Sequence, residues 1–235
     1  TTEIYTLSLH DALPIFSISP SLTQGDCARY VFGFESGCIA LVSGKDGDGN
    51  KNNLIRLDAK GGILFRKQLE EASSPCFLQF DEITQNSLIG FGLPDPNSNS
   101  IFSSMSVVLT DSLGNVQWKS VIPSKGTLVD ITKTSDRFLA FVNYQNYQDG
   151  SKTLSAGGEP DTWGHLMAII NASNGNVEKL IPIKSTSSFT ISRVFSISSS
   201  EICLIGQTTP SAINPETQIR FVVVSSKGDV IYSNL

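Results

Sequence analysis

A single tight turn recurs along this chain and constrains its fold more than any other feature. Asp111-Ser112-Leu113-Gly114 separates two strand-like runs, Val107–Thr110 and Val116–Ile122. An Asp or Asn at the first turn position can accept hydrogen bonds from its own backbone. A Gly at the last can take the left-handed conformation that closes a type I turn with a bulge. The counterparts are Asp58-Ala59-Lys60-Gly61, Asn171-Ala172-Ser173-Asn174-Gly175 and Ser225-Ser226-Lys227-Gly228. Two positions after each Gly stands an apolar residue: Ile63, Val116, Val177, Val230. Two further on comes an aromatic column, Phe65, Trp118 and Tyr232, with Lys179 as its exception. Period-two alternation predicts that Val116 and Trp118 share a buried face.

A second hairpin precedes each of these. Its strand pairs are Tyr30–Phe34 with Cys38–Ser43, Phe77–Phe80 with Ser87–Phe91, Leu128–Thr132 with Phe138–Val142, and Ile191–Ile197 with Glu201–Ile205. Gly44, Gly92 and Gly206 close three of these segments, and Asn143 closes the other. Each unit is therefore strand-turn-strand, a variable loop, then strand-turn-strand. Four antiparallel strands in tandem repeats are the pattern of β-propeller blades, in which sheets that cannot bury both faces alone bury them by stacking. The expected fold is all-β and β-propeller-like, with blades at about 30–69, 77–122, 128–183 and 191–235 within a domain spanning 30–235. A β-sandwich or a β-solenoid fits the double-hairpin repeat less well. The variable loops Lys45–Asn53, Pro94–Ser100, Gln145–Trp163 and Thr208–Thr217 are expected to be exposed and to cluster on one side.

Thr1–Ile15, TTEIYTLSLHDALPI, is identical residue for residue to a translated short-read sequencing adapter. It is expected to be foreign to the natural protein and is set aside. Residues 16–29 then include a possible tail of a preceding blade, Phe16–Leu22, and the chain is expected to be part of a larger propeller. A complete four-bladed ring is the alternative. The net charge is −5, with no basic patch, so nucleic acid is not an expected partner. No apolar run is long enough to span a bilayer as a helix.

The repeats resemble bacterial secreted or cell-surface β-propellers whose blades read "Gly-Gly-Tyr, apolar run, Gly, loop with Asp, apolar strand, Lys-x-Asp-x-x-Gly-x-x-x-Trp". The resemblance rests on Ser36–Gly44 followed by Asn53–Leu69, on Val107–Trp118, and on Asp161-Thr162-Trp163 followed by Leu166–Gly175. It implies an extracellular or surface setting. It is specific for architecture and not for activity, since the shared positions are turn and core residues. Sialidase-type Asp-boxes and WD40 blades fit less well. Quinoprotein-like blades are nearer through the Asn171-to-Gly175 spacing, without a quinone-binding set.

The chemistry-bearing residues are sparse. Outside the leading segment the only histidine is His165, expected at a strand edge or surface; no nucleophile-elbow sequence accompanies it. Cys27, Cys38, Cys76 and Cys203 have no metal-ligand spacing and are expected to be free thiols, one disulfide being the alternative. In the loop Asp46-Gly47-Asp48-Gly49-Asn50-Lys51-Asn52, the residues Asp46, Asp48, Asn50 and Asn52 alternate as calcium ligands do. Lys51 and Leu57 stand where an EF-hand has Gly and Glu, so tight calcium binding is not expected and no other cofactor is indicated. Asn171-Ala172-Ser173 is a glycosylation sequon, relevant only to a secreted eukaryotic chain. Glu70-Glu71 and Asp81-Glu82 are read as solvated strand ends rather than glycosidase pairs. The functional expectation is a non-catalytic propeller module for structure or for binding a protein or glycan. The alternative is a piece of a glycan-active or quinoprotein-like enzyme whose catalytic residues lie elsewhere.

Overall fold

The computed structural model describes residues 27–46, 49–70, 74–95, 98–124, 126–134, 136–145, 147–149, 152–154, 163–183, 189–208 and 218–233. Thr1–Ile15 and Phe16–Leu22 lie outside them. Every regular element among the described residues is a strand. The first sheet is β1 (Cys27–Phe34), β2 (Gly37–Asp46), β3 (Gly49–Asp58) and β4 (Ile63–Leu69), antiparallel and paired in chain order. The second repeats this with β5 (Ser74–Asp81), β6 (Asn86–Asp95), β7 (Ser98–Thr110) and β8 (Val116–Ile122). The third comprises β9 (Gly126–Lys133), β10 (Arg137–Gln145), β13 (Trp163–Asn171) and β14 (Val177–Ile183). A separate small hairpin, β11 (Tyr147–Asp149) with β12 (Lys152–Leu154), lies between β10 and β13 in the chain. The fourth sheet is β15 (Phe189–Ser196), β16 (Glu201–Thr208), β17 (Ile219–Ser225) and β18 (Val230–Ser233). One backbone bridge, Phe102 with Gly126, joins the second sheet to the third.

The sheets stack face to face, as their period-two apolar patterns require. Phe34, Ile39, Leu41 and Leu54 of the first pack against Phe80, Ile89, Phe91 and Val108 of the second. Val107, Leu109 and Trp118 of the second meet Leu128, Ala140 and Ala168 of the third. Phe141 and Met167 of the third meet Ile202, Leu204 and Val222 of the fourth. The first strands of successive sheets, β1, β5, β9 and β15, also touch one another, so the stack converges along them.

The repeated turn does two jobs. Gly61, Gly114, Gly175 and Gly228 all adopt left-handed φ, between 73° and 88°. Asp111 accepts hydrogen bonds at Oδ1 from the Leu113 and Asn115 amides, 2.9 and 2.8 Å away, as its place in the turn predicts. The Asn115 side-chain amide first, then the turn's backbone N–H groups, hold the Asp111 carboxyl below its ordinary range. The second job is between sheets: the fourth strand of one sheet rests a side chain on the turn glycine of the next. Phe65 lies over Gly114, Trp118 over Gly175 and Ile181 over Gly228. Lys179 breaks the aromatic column, and Ile181, two residues on, takes the role.

Three expectations need correction. Val116 and Trp118 do not share a face, because a register shift at the start of β8 leaves Val116 53% exposed while Trp118 is 7% exposed. The same shift opens β4, β14 and β18; Ile63 and Val230 are exposed as Val116 is, whereas Val177 is partly buried against the core. Lys45–Asn53 and Pro94–Ser100 are not open loops. Strand pairing runs on to Asp46 with Gly49 and to Asp95 with Ser98. His165 is not at the surface; it is 4% exposed.

Candidate interaction site on the inner strands

Each inner strand carries a β-bulge at the same register. One residue stands unpaired between Ala28 and Tyr30, between Pro75 and Phe77, between Leu128 and Asp130, and between Ile191 and Arg193. The extra residues are Arg29, Cys76, Val129 and Ser192. Bulges bend a strand and re-aim its side chains. Here four of them lie on the strands along which the sheets converge. The bulges place Arg29, Tyr30, Cys76, Asp130 and Arg193 on this convergent edge, Arg29 and Arg193 being exposed.

The polar groups at this edge are in use as sheet-to-sheet ties. Asp130 accepts from the Ile131 amide at 2.9 Å and, across the sheet junction, from the Val194 amide at 3.0 Å. Burial raises the Asp130 pKa above its ordinary value, and these two amides and Arg193 oppose that rise without cancelling it. The folded protein thus holds this proton more tightly than the unfolded chain. Its contribution to stability is full below the ordinary Asp range and is lost as pH rises through the folded-state pKa. Asp130→Asn removes the titration. Unfolding midpoints measured from about pH 3.5 to 7 should show wild type losing ground to the variant as pH rises.

His165 and Asn143 form the second tie. Asn143 Oδ1 accepts from His165 Nδ1 at 3.0 Å and from the Ile191 amide at 3.2 Å, and Asn143 Nδ2 donates to the Ile191 carbonyl at 3.0 Å. Since Asn143 Oδ1 can only accept, His165 Nδ1 is the donor of this bond. Removing the amide strands buried backbone groups of β15, and each such group costs about 1–3 kcal/mol. Asn143→Ala strands two such groups and should therefore destabilise by about 2–6 kcal/mol, read as a fall in the urea midpoint at unchanged slope.

Burial pushes the Cys76 thiol up to about 12 and burial also raises Cys38 and Cys203, so none of these is a ready thiolate. Cys38, Cys76 and Cys203 are free. Lys133 bridges from β9 to Asp81 at 3.1 Å.

Asp46 and Asn50 lie on the paired strands β2 and β3, and Asp48 lies outside the described residues. Asn52 is buried, and its Oδ1 accepts from Ser43 Oγ at 2.7 Å. Among the described residues no group of three or more His, Cys, Asp or Glu converges as a metal site. Asn171 of the sequon occupies its turn, its Oδ1 accepting from the Ser173 amide and hydroxyl at 3.0 and 2.6 Å. Glu70 lies just past β4 and Asp81 ends β5, where it caps the following turn through the Ile83 and Thr84 amides; Glu71 lies outside the described residues.

The inner-strand bulges had no shared residue type to betray them, since Arg, Cys, Val and Ser occupy equivalent places. Asn143 left little signal: the pairing register sets it against Ser43, Gly92 and Gln207 of the other units, so no single residue type marks the place. Asp130 is visible only as an acidic residue among the apolar Leu128, Val129 and Ile131.

No family model matches the chain, and no curated protein matches it. Among solved structures, it is similar to an acylaminoacyl peptidase in complex with Z-Gly-Gly-Phe-chloromethyl ketone. The TM-score is 0.51 at 10% identity, over 89% of this chain and 33% of that one. This chain thus spans about a third of that protein, and at such identity the likeness is one of fold. Stacked four-stranded sheets converging on their first strands, together with this match, make the chain an all-β, β-propeller-like protein.

Proposed function

We propose that the chain is a non-catalytic propeller module that binds a protein or glycan ligand at the convergent edge of its inner strands. The observation that carries this reading is how that edge divides its polar groups. Asp130 is spent on joining sheets, as is Asn143 of the adjacent β10, held by His165 of β13, whereas Arg29 and Arg193 stand exposed beside the bulges. A rigid scaffold presenting exposed cations on bulged strands suits recognition rather than bond breaking. The extracellular or surface setting implied by the repeat resemblance belongs to the same proposal. Peptide and glycan arrays probed with the labelled protein test it. Saturable binding to a ligand class, weakened about tenfold or more by Arg29→Ala with Arg193→Ala, is the expected result. Turnover of an array ligand, or binding indifferent to both substitutions, overturns it.

A second reading makes the chain the propeller portion of a larger enzyme. The match to an acylaminoacyl peptidase, of which this chain covers a third, favours it. The full reading frame decides: a catalytic domain contiguous with these repeats supports the enzyme, and its absence supports the free-standing module.

A further inference from the structure

The fourth sheet is apolar on both faces, and among the described residues only one of them is covered. Its inner face, with Ile202, Leu204, Val222 and Val224, packs on the third sheet. On the opposite face a row of paired residues crosses all four strands: Phe195 with Cys203, Cys203 with Val223, Val223 with Tyr232. Ile205 pairs with Phe221 beside it, and Ile219 ends the patch. Phe195 is 53% and Tyr232 59% exposed.

Counted from the turn glycine, this row occupies the register of Thr132, Leu139, Ile169 and Lys179 in the third sheet. Leu139 and Ile169 there lie under the fourth sheet. In the second sheet the same register holds Leu88, Leu109 and Trp118, which lie under the third. Two successive joints thus use this face in one way, and Tyr232 stands where Phe65 and Trp118 rest on the next sheet's glycine. We infer that the outer face of the fourth sheet is a built interface, occupied by a fifth sheet of the same repeat supplied by the polypeptide that continues this one. That sheet presents an aliphatic inner face and seats the glycine of its Asp-, Asn- or Ser-led turn over Tyr232. The inference rests on the stacking rule, and it bears on the ligand-binding reading: Arg193 pairs with Ile205 on this face in the register of Asp130, so a fifth sheet places it at the new joint and leaves Arg29 as the exposed cation.

Cys203 lies in the middle of the row and reports on it directly. The protein of the complete reading frame and the 235-residue chain are labelled with N-ethylmaleimide, and each cysteine is followed by peptide mass spectrometry. Cys38, buried in the first sheet, serves as the slow reference in both. The expected result is that Cys203 reacts about tenfold or more slowly in the complete protein, at every protein concentration. Three results overturn the inference: equal Cys203 rates in the two proteins, protection that disappears on dilution and so reports a second copy, or a reading frame with no further repeat after Leu235. No substitution is needed, so a folding defect cannot imitate either answer.

Discussion

Trp118→Ala should destabilise the protein by about 3–5 kcal/mol, the range for truncating a large buried aromatic. The indole sits at the joint between the second and third sheets, 7% exposed, its ring 5.8 Å from that of Phe138 and tilted by 58°. Tilted aromatic pairs of this separation contribute beyond their buried area. Nε1 donates to the Ala172 carbonyl at 3.0 Å, so truncation removes a hydrogen bond as well as packing. Next to it, Ser120 donates to the Gly175 carbonyl, and this bond alone cannot hold the joint closed. A fall in the urea midpoint of the corresponding size is the measurement. A midpoint within error of wild type would mean that the indole does not bridge the sheets. Trp118→Phe keeps the ring and loses the donor, and should recover most of the loss.

Gly175→Ala is the partner experiment. Gly175 has φ of 73°, and a Cβ there would lie 2.7 Å from the Trp118 ring. Left-handed backbone costs a residue with a Cβ about 1–2 kcal/mol, and overpacking adds about 1–3 kcal/mol. The expected total is about 2–5 kcal/mol. The two costs separate in a double-mutant cycle. With Trp118→Ala in place the crowding is relieved and the backbone strain remains. Gly175→Ala should then cost about 1–3 kcal/mol less than it does in wild type, a coupling expected only of residues in contact. Additive effects would place the two residues apart.

The architecture was legible because turn chemistry is local. A left-handed Gly after an Asp, Asn or Ser is demanded by backbone geometry, and that demand repeats at Gly61, Gly114, Gly175 and Gly228. The strand faces were less legible. Val116 looked like core by alternation, but an unpaired residue, Gln117, shifts the period before Trp118. A bulge has no obligatory residue type, so alternation read from sequence runs straight through it. The low-complexity stretch Lys45–Asn53 reads as a loop because Asp, Gly and Asn avoid strands on average. Pairing with a full neighbouring strand overrides that weak preference. His165 reads as a surface residue since nothing near it in sequence satisfies its ring. Its partner, Asn143, lies on a different strand and becomes a neighbour only through the β10–β13 register.

The resting of one sheet's fourth strand on the next sheet's turn glycine has a consequence for how such a chain tolerates change. The contact points one way along the chain: each sheet offers a projection forwards and a hollow backwards. Whole units can be gained or lost while every remaining joint keeps its partners, since each sheet's stacking contacts are with its immediate neighbours. A single residue inserted between a turn glycine and the side chain four places on has the opposite effect. In the second unit it would displace Trp118 from Gly175 and spoil the third sheet from within the second. Variation in length is therefore cheap between units and in the β10–β13 connection, and costly over the few residues following each glycine.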